Sequence, residues 1–276
     1  HRPYCRALAI NSTGSCVATG GGDGVVKIVS ISSQAITESN ATAGFGGAGG
    51  GASLSSQQKT LTESKGIITA LEYRLRRDIL ISGDTNSKLI IYDVKSITGA
   101  SHLNVDHEDM VPKSNQMSIK MGSSDSSYFS SKLSKKPILT VHENSPITCI
   151  RMHPLDEHLF VGTQNPVFKL YDLNTCESFT SVHPGHQHSG GINDIQVSQD
   201  GSIACTCSRE GSIKIWDSVN LSCINTIHAA HSGRSIHSLC LSLSQRYLLS
   251  SGGDGMVKLW DLRMGKELNN YSTGLR

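Results

Sequence analysis

The stretch YLLSSGGDGMVKLWDLRMGK, residues 247–266, decides the fold: a hydrophobic strand, a Gly-Asp-Gly turn and a second strand closing on Trp260-Asp261. Alternation of period two on either side of such a turn is a hairpin signal. Counted from the turn residue Asp254, apolar residues stand at minus 18, minus 15 and minus 13 (Ile236, Leu239, Leu241). Val257, Leu259, Trp260 and Asp261 stand at plus 3, 5, 6 and 7.

Four weaker copies precede it on the same grid. In residues 1–31, Leu8 and Ile10 alternate on one strand and Val17 and Ala18 lie on the next; GGDG at 21–24 then turns into VVKIVSI, with Val29-Ser30 where Trp-Asp stood. Residues 61–94 carry Ile68, Leu71 and Tyr73, then Leu80 and Ile81, turn residue Asn86, and Leu89, Ile91, Tyr92 and Asp93. Asn serves the turn because its side chain bonds nearby backbone as Asp does. Residues 137–178 carry Ile147, Ile150, Met152, Leu159, Phe160, turn residue Asn165, and Phe168, Leu170, Tyr171, Asp172; residues 179–222 carry Ile192, Ile195, Val197, Ala204, Cys205, turn residue Glu210, and Ile213, Ile215, Trp216, Asp217. The fifth copy fills 223–276. Turn positions 165, 210 and 254 are 45 and 44 residues apart, and the earlier intervals of 63 and 79 are that period expanded by two insertions. One is Gly/Ser-rich, 32–60, with GFGGAGGG at 44–51. The other, 95–136, is Ser-rich and is expected to be disordered on composition.

Composition excludes several classes. The net charge of +2 is far from that of a dedicated nucleic-acid binder, and no run approaches the ~18 apolar residues of a membrane helix. Most of the eight cysteines, Cys149, Cys205 and Cys240 among them, sit in strand patterns and are expected to be buried free thiols, which favours a reducing compartment.

A period of about 40–45 residues with strand-turn-strand ending in Trp-Asp is the WD40 signature, one four-stranded propeller blade per repeat. This resemblance implies an all-β propeller with five blades present. In that family a His before the innermost strand, a Ser or Thr on the second strand, the turn acid and the Trp of the third form a hydrogen-bonded network. The resemblance carries these roles to His231, Ser250, Asp254 and Trp260 in the fifth repeat and to His188, Thr206, Glu210 and Trp216 in the fourth. The first repeat keeps His1, Thr19 and Asp23 without the Trp; the second offers Ser64, Ser82, Asn86 and Tyr92, and the third His142, Val161, Asn165 and Tyr171. Propeller closure in the family uses an outer strand from one terminus to complete the blade at the other. Nothing precedes His1 to supply it, so an incomplete arc of a seven-bladed propeller is expected, with the chain a fragment of a longer protein.

Candidates for chemistry are few. His183, His186 and His188 in HPGHQH, with Cys205 and Cys207, match no established zinc spacing. GFGGAGGG lacks the Gly-Lys-Ser/Thr ending of a phosphate loop, and no G-x-S-x-G occurs. No catalytic, metal or cofactor-binding residue is therefore expected, and the chain reads as no enzyme. The cluster Arg74, Arg76 and Arg77 is either a solvated turn or a contact for RNA or an acidic protein.

The segments at 152–179 and 187–217 further resemble the WD-repeat subunit (subunit 1) family of cleavage stimulation factor, chiefly through VGTQNP at 161–166 followed by Lys169-Leu170-Tyr171-Asp172. That resemblance implies a nuclear, non-enzymatic scaffold for pre-mRNA 3′-end cleavage and polyadenylation. Its partners would be protein subunits of that machinery, above all the factor's scaffold subunit, with RNA contacted only indirectly and no membrane or small-molecule substrate. A substrate receptor of a ubiquitin ligase or a signalling adaptor is the alternative within the same architecture.

Overall fold

A computed structural model describes residues 1–2, 4–31, 58–94 and 137–274. The glycine-rich stretch at 44–51 and the serine-rich stretch at 95–136 lie outside the described residues.

Among the described residues twenty strands form five antiparallel four-stranded sheets. The first holds β1 (Cys5–Ile10), β2 (Cys16–Gly21), β3 (Val26–Ser30) and β4 (Gln58–Leu61), and the second β5 (Ile68–Tyr73), β6 (Ile79–Asp84), β7 (Lys88–Asp93) and β8 (Leu139–His142). The third holds β9 (Ile147–Met152), β10 (His158–Thr163), β11 (Phe168–Asp172) and β12 (Ser178–Thr180). The fourth is built from β13 (Ile192–Val197), β14 (Ile203–Ser208), β15 (Ile213–Asp217) and β16 (Cys223–Ile227), and the fifth from β17 (Ile236–Leu241), β18 (Tyr247–Gly252), β19 (Met256–Asp261) and β20 (Lys266–Ser272). Among the described residues no helix is long and apolar enough to cross a membrane.

Strand pairing departs from the repeat boundaries read in the sequence. β4, whose residues 58–60 read as insertion and Leu61 as the start of the second repeat, pairs with β3 and completes the first sheet. β8 and β16, which open the third and fifth repeats, close the second and fourth sheets. These outer strands bury only Leu61 and Ile227, so the alternation that marks a half-buried strand is weak in them.

Four apolar cores alternate with the five sheets. Ile28 and Leu61 meet Ile68, Leu80 and Tyr92 between the first and second; Ile81 and Leu89 meet Ile147 and Leu159 between the second and third. Phe160 and Phe168 meet Ile192 and Trp216 in the next core, and Cys207 and Ile213 meet Ile236, Leu248 and Trp260 in the last. Among the described residues no core joins the fifth sheet to the first, so the sheets form an open arc. Leu8 and Ile10, which the alternation alone places in a core, are 61% and 57% exposed. Their counterparts Leu71 and Tyr73 are buried against the preceding sheet, and β1 has no sheet on that side. Close approach of neighbouring sheets depends on glycine: a Cβ on Gly83 would lie 2.6 Å from Ile147 Cγ2, and one on Gly20 would lie 2.3 Å from Ile68 Cγ2.

Candidate functional site

In the fifth sheet, β18 and β19 bring Ser250 and Trp260 beneath the loop that carries His231. Trp260 Nε1 donates to Ser250 Oγ at 2.8 Å, and that hydroxyl lies 2.7 Å from His231 Nε2. His231 Nδ1 lies 2.8 Å from Asp254 Oδ1. One proton arrangement satisfies the whole chain: Ser250 donates to Nε2, and Nδ1–H donates to the carboxylate. Burial opposes ionisation of Asp254, but hydrogen bonds from His231 and the Met256 N–H outweigh it and hold its carboxyl below the usual range.

The fourth sheet repeats this geometry with a longer acid. Trp216 Nε1 donates to Thr206 Oγ1 at 2.8 Å, Thr206 lies 2.7 Å from His188 Nε2, and Glu210 Oε1 lies 2.8 Å from His188 Nδ1. The extra methylene is absorbed by the Ser189 N–H, which donates to Glu210 Oε2 at 2.7 Å, and by the Ser212 hydroxyl on Oε1. Burial drives the His188 pKa down to about 4 against the opposing pull of Glu210. In the first sheet His1 lies 2.9 Å from both Thr19 Oγ1 and Asp23 Oδ1.

The second and third sheets build other networks. Ser64 donates to Asp84, not to Asn86, and Asp84 also accepts from the Lys88 N–H at 2.8 Å. His142, given the histidine position of the third repeat, is exposed and belongs to β8 of the second sheet, so the third sheet lacks it. Glu143 takes the place of the histidine: buried, it accepts from the Tyr171 hydroxyl and from Lys169 Nζ at 2.7 Å. Burial, reinforced by that carboxylate, pushes the Tyr171 phenol far above its ordinary pKa. Val161 offers no hydroxyl, so tyrosine reaches the acid directly.

A second arrangement lies where the inner strands converge. Each of β1, β5, β9, β13 and β17 skips one residue in its pairing: Arg6, Thr69, Thr148, Asn193 and His237. These β-bulges turn the skipped side chains toward a shared cavity of about 240 Å3, whose wall Arg209 also joins. Three of them tie neighbouring sheets together. Thr69 Oγ1 donates to the Ile147 carbonyl at 2.7 Å, Thr148 Oγ1 to that of Ile192 at 2.5 Å, and Asn193 Nδ2 to that of Ile236 at 2.6 Å.

The family described as WD domain, G-beta repeat matches residues 1–30, 177–217 and 221–261. The chain carries WD40 repeats. The matched stretches are the first, fourth and fifth repeats, whose networks keep the histidine; the unmatched ones use Ser64 and Glu143. Cleavage stimulation factor subunit 50 of Arabidopsis thaliana is 35% identical over 125 residues, 45% of this chain and 29% of that protein. Eukaryotic translation initiation factor 3 subunit I of Drosophila simulans is 33% identical over 115 residues, 42% of this chain and 34% of its own length. The Culex quinquefasciatus form is 30% identical over 134 residues, 47% of this chain and 39% of its length. The chain thus spans well under half the length of these curated relatives.

The remaining sequence candidates separate in the WD40 arc. His186 Nδ1 accepts from the Cys223 N–H at 3.2 Å, and His188 is held in its blade network. Among the described residues no group of three or more His, Cys, Asp or Glu is placed to hold a metal ion. Arg74 is neither solvated nor free for RNA. It is buried, with Nε 3.4 Å from Asp156 Oδ2, and joins the second sheet to the third; Arg76 and Arg77 are exposed. All eight cysteines are free. Cys149, Cys205 and Cys207 are buried, and burial pushes the first two thiols up to about 12. Cys240 is exposed, contrary to the reading from its strand pattern, because no sheet covers that face of β17.

Proposed function

We propose that the chain is a non-enzymatic protein-interaction scaffold of the kind found in pre-mRNA 3′-end cleavage and polyadenylation, acting in the nucleus. The observation that carries this reading is the 35% identity over 125 residues to cleavage stimulation factor subunit 50. The third repeat adds to it, since VGTQNP and Lys169-Leu170-Tyr171-Asp172, the residues that set the resemblance apart, surround the Glu143–Tyr171–Lys169 network. The His, Ser/Thr and acid groups of the first, fourth and fifth blades, joined by Trp216 and Trp260 in the last two, have a structural role in this reading: they satisfy one another inside their blades.

A second reading rests on the 30% and 33% identities to translation initiation factor 3 subunit I, and would place the chain in a cytoplasmic translation assembly. Affinity purification of the tagged chain, followed by mass spectrometry, separates the two. Recovery of polyadenylation factors, above all a cleavage stimulation factor scaffold subunit, supports the first reading. Recovery of initiation factor 3 subunits without them overturns it.

A further inference from the structure

The fourth sheet departs from its neighbours at one charge. Counted from the turn residue, a lysine stands at plus 4 in the third, fourth and fifth repeats, as Lys169, Lys214 and Lys258. Lys169 Nζ lies 2.7 Å from Glu143 Oε2, and Lys258 Nζ 2.9 Å from Glu267 Oε2. Lys214 is 8% exposed, yet among the described residues it meets no carboxylate, and its ammonium group bonds only Thr226 Oγ1, at 3.4 Å. A buried ammonium group without a counter-ion is costly.

The strand register shows where the counter-ion is missing. Glu267 stands thirteen residues after turn residue Asp254 and pairs opposite Trp260. Thirteen residues after Glu210, opposite Trp216, stands Cys223. The thiol thus takes the place of the acid. It is free and half-buried, and its strand is pinned by the bond from the Cys223 N–H to His186 Nδ1. Cys223 Sγ lies 3.4 Å from Thr226 Oγ1 and donates to the Asn225 carbonyl at 3.3 Å. Lysine only donates, so Thr226 accepts from Lys214 and its own proton is free to point at sulfur. A chain of donors from Lys214 through Thr226 ends on the one atom of the three that can take negative charge.

We propose that Cys223 is a site of oxidation by peroxide, and that its sulfinate product is the counter-ion Lys214 lacks. In the first step sulfur attacks one oxygen of hydrogen peroxide: the S–O bond forms as the O–O bond breaks, sulfur gives up two electrons, and the thiol proton leaves with the departing hydroxide as water. A second equivalent of peroxide adds a second oxygen in the same way and releases a second water, and the sulfinic acid ionises to an anion. The lysine-backed hydroxyl steadies the negative charge on the attacking sulfur. Cys5, Cys176 and Cys240 are more exposed, but among the described residues none has such a donor. The site stands whichever assembly the chain joins.

The test treats the full chain with hydrogen peroxide and follows each cysteine by peptide mass spectrometry. We expect Cys223 to gain oxygen several-fold faster than the more exposed Cys5, Cys176 and Cys240. Lys214→Met, which keeps the apolar stem and removes the charge, should slow Cys223 by roughly tenfold, while Lys258→Met should leave its rate unchanged. The product is tested without peroxide: Cys223→Asp, which supplies an anion, should have a thermal midpoint roughly 2 °C or more above that of Cys223→Ser, and Lys214→Met should abolish the difference. Oxidation of the exposed cysteines ahead of Cys223, which needs no variant to observe, overturns the proposal. So does a Cys223 rate that is the same with and without Lys214, or equal midpoints for the aspartate and serine variants.

Discussion

At the scale of single residues, the histidine networks solve a burial problem. His188 is 4% exposed and His231 fully buried, so every ring nitrogen left without a partner would cost about 1–3 kcal/mol. Replacing His231 with alanine takes one partner each from Ser250 and Asp254 and leaves a cavity. The expected loss is roughly 2–4 kcal/mol of stability in denaturant titration. Trp260→Phe, which keeps the ring and loses only the donor to Ser250, should cost about 1 kcal/mol; equal losses for the two variants would refute the network as the source. A pH dependence follows from His188. Its folded pKa of about 4 lies below the ~6.5 of an unfolded chain, so between these values the unfolded state binds a proton that the native state does not. That contribution to stability is complete above pH ~6.5 and is lost as pH falls toward 4. Thermal midpoints measured over this window should fall more steeply for the native chain than for His188→Gln, which has nothing to titrate there. Parallel curves would assign the slope to other groups.

The same scale shows what the repeat grid misplaces. Counting places His142 at the histidine position of the third repeat, but Glu143 stands four residues before its inner strand, as His188 and Ser64 do before theirs. A residue that differs from the family type is not recognised by type, and only distance from the strand start finds it. Asp84 escaped for a related reason: it ends β6, two residues before the turn position where an acid is sought.

At the scale of elements, the spacing of apolar residues on the inner strands already records their bulges. Ile68, Leu71 and Tyr73 are three and then two apart, as are Ile147, Ile150 and Met152, and Ile192, Ile195 and Val197. A strand with unbroken alternation shows only twos. The third residue marks a skipped partner, and the structure shows the skip at Thr69, Thr148 and Asn193. The sheet-to-sheet contact just beside these bulges sets a strict size limit. Gly83→Ala places a methyl 2.6 Å from Ile147 Cγ2 and should destabilise by about 1–3 kcal/mol. Combining it with Ile147→Ala should cost less than the sum of the two single losses, by about 0.5 kcal/mol or more in a double-mutant cycle. Strict additivity would show that the two residues do not meet.

At the scale of the whole molecule, five sheets enclose four cores, which ranks the sheets by stability. The second, third and fourth are covered on both faces, the first and fifth on one. Amide hydrogen exchange should therefore be slowest in β9, β10 and β14 and faster by roughly tenfold or more in β1 and the fully exposed β20. Uniform protection across the five sheets would contradict an arc built from sequential pairwise cores.

The sequence by itself determined the repeating unit. Gly-Asp-Gly turns, alternating apolar strands and Trp-Asp endings are local patterns, and a period of 44–45 residues needs no tertiary knowledge to be counted. Through the WD40 resemblance it also located the His231 and His188 groups, whose partners stand at nearly the same distances along the chain in the two repeats. Only the tertiary structure decided which sheet owns each outer strand, since that choice rests on hydrogen bonds between segments as far apart in sequence as β7 and β8. It decided that Leu8, Ile10 and Cys240 are exposed, because burial on an end sheet depends on whether another sheet covers it. It alone gathered Arg6, Arg209 and His237 around one cavity: they lie on three different sheets, and no spacing along the chain measures distance across a hub.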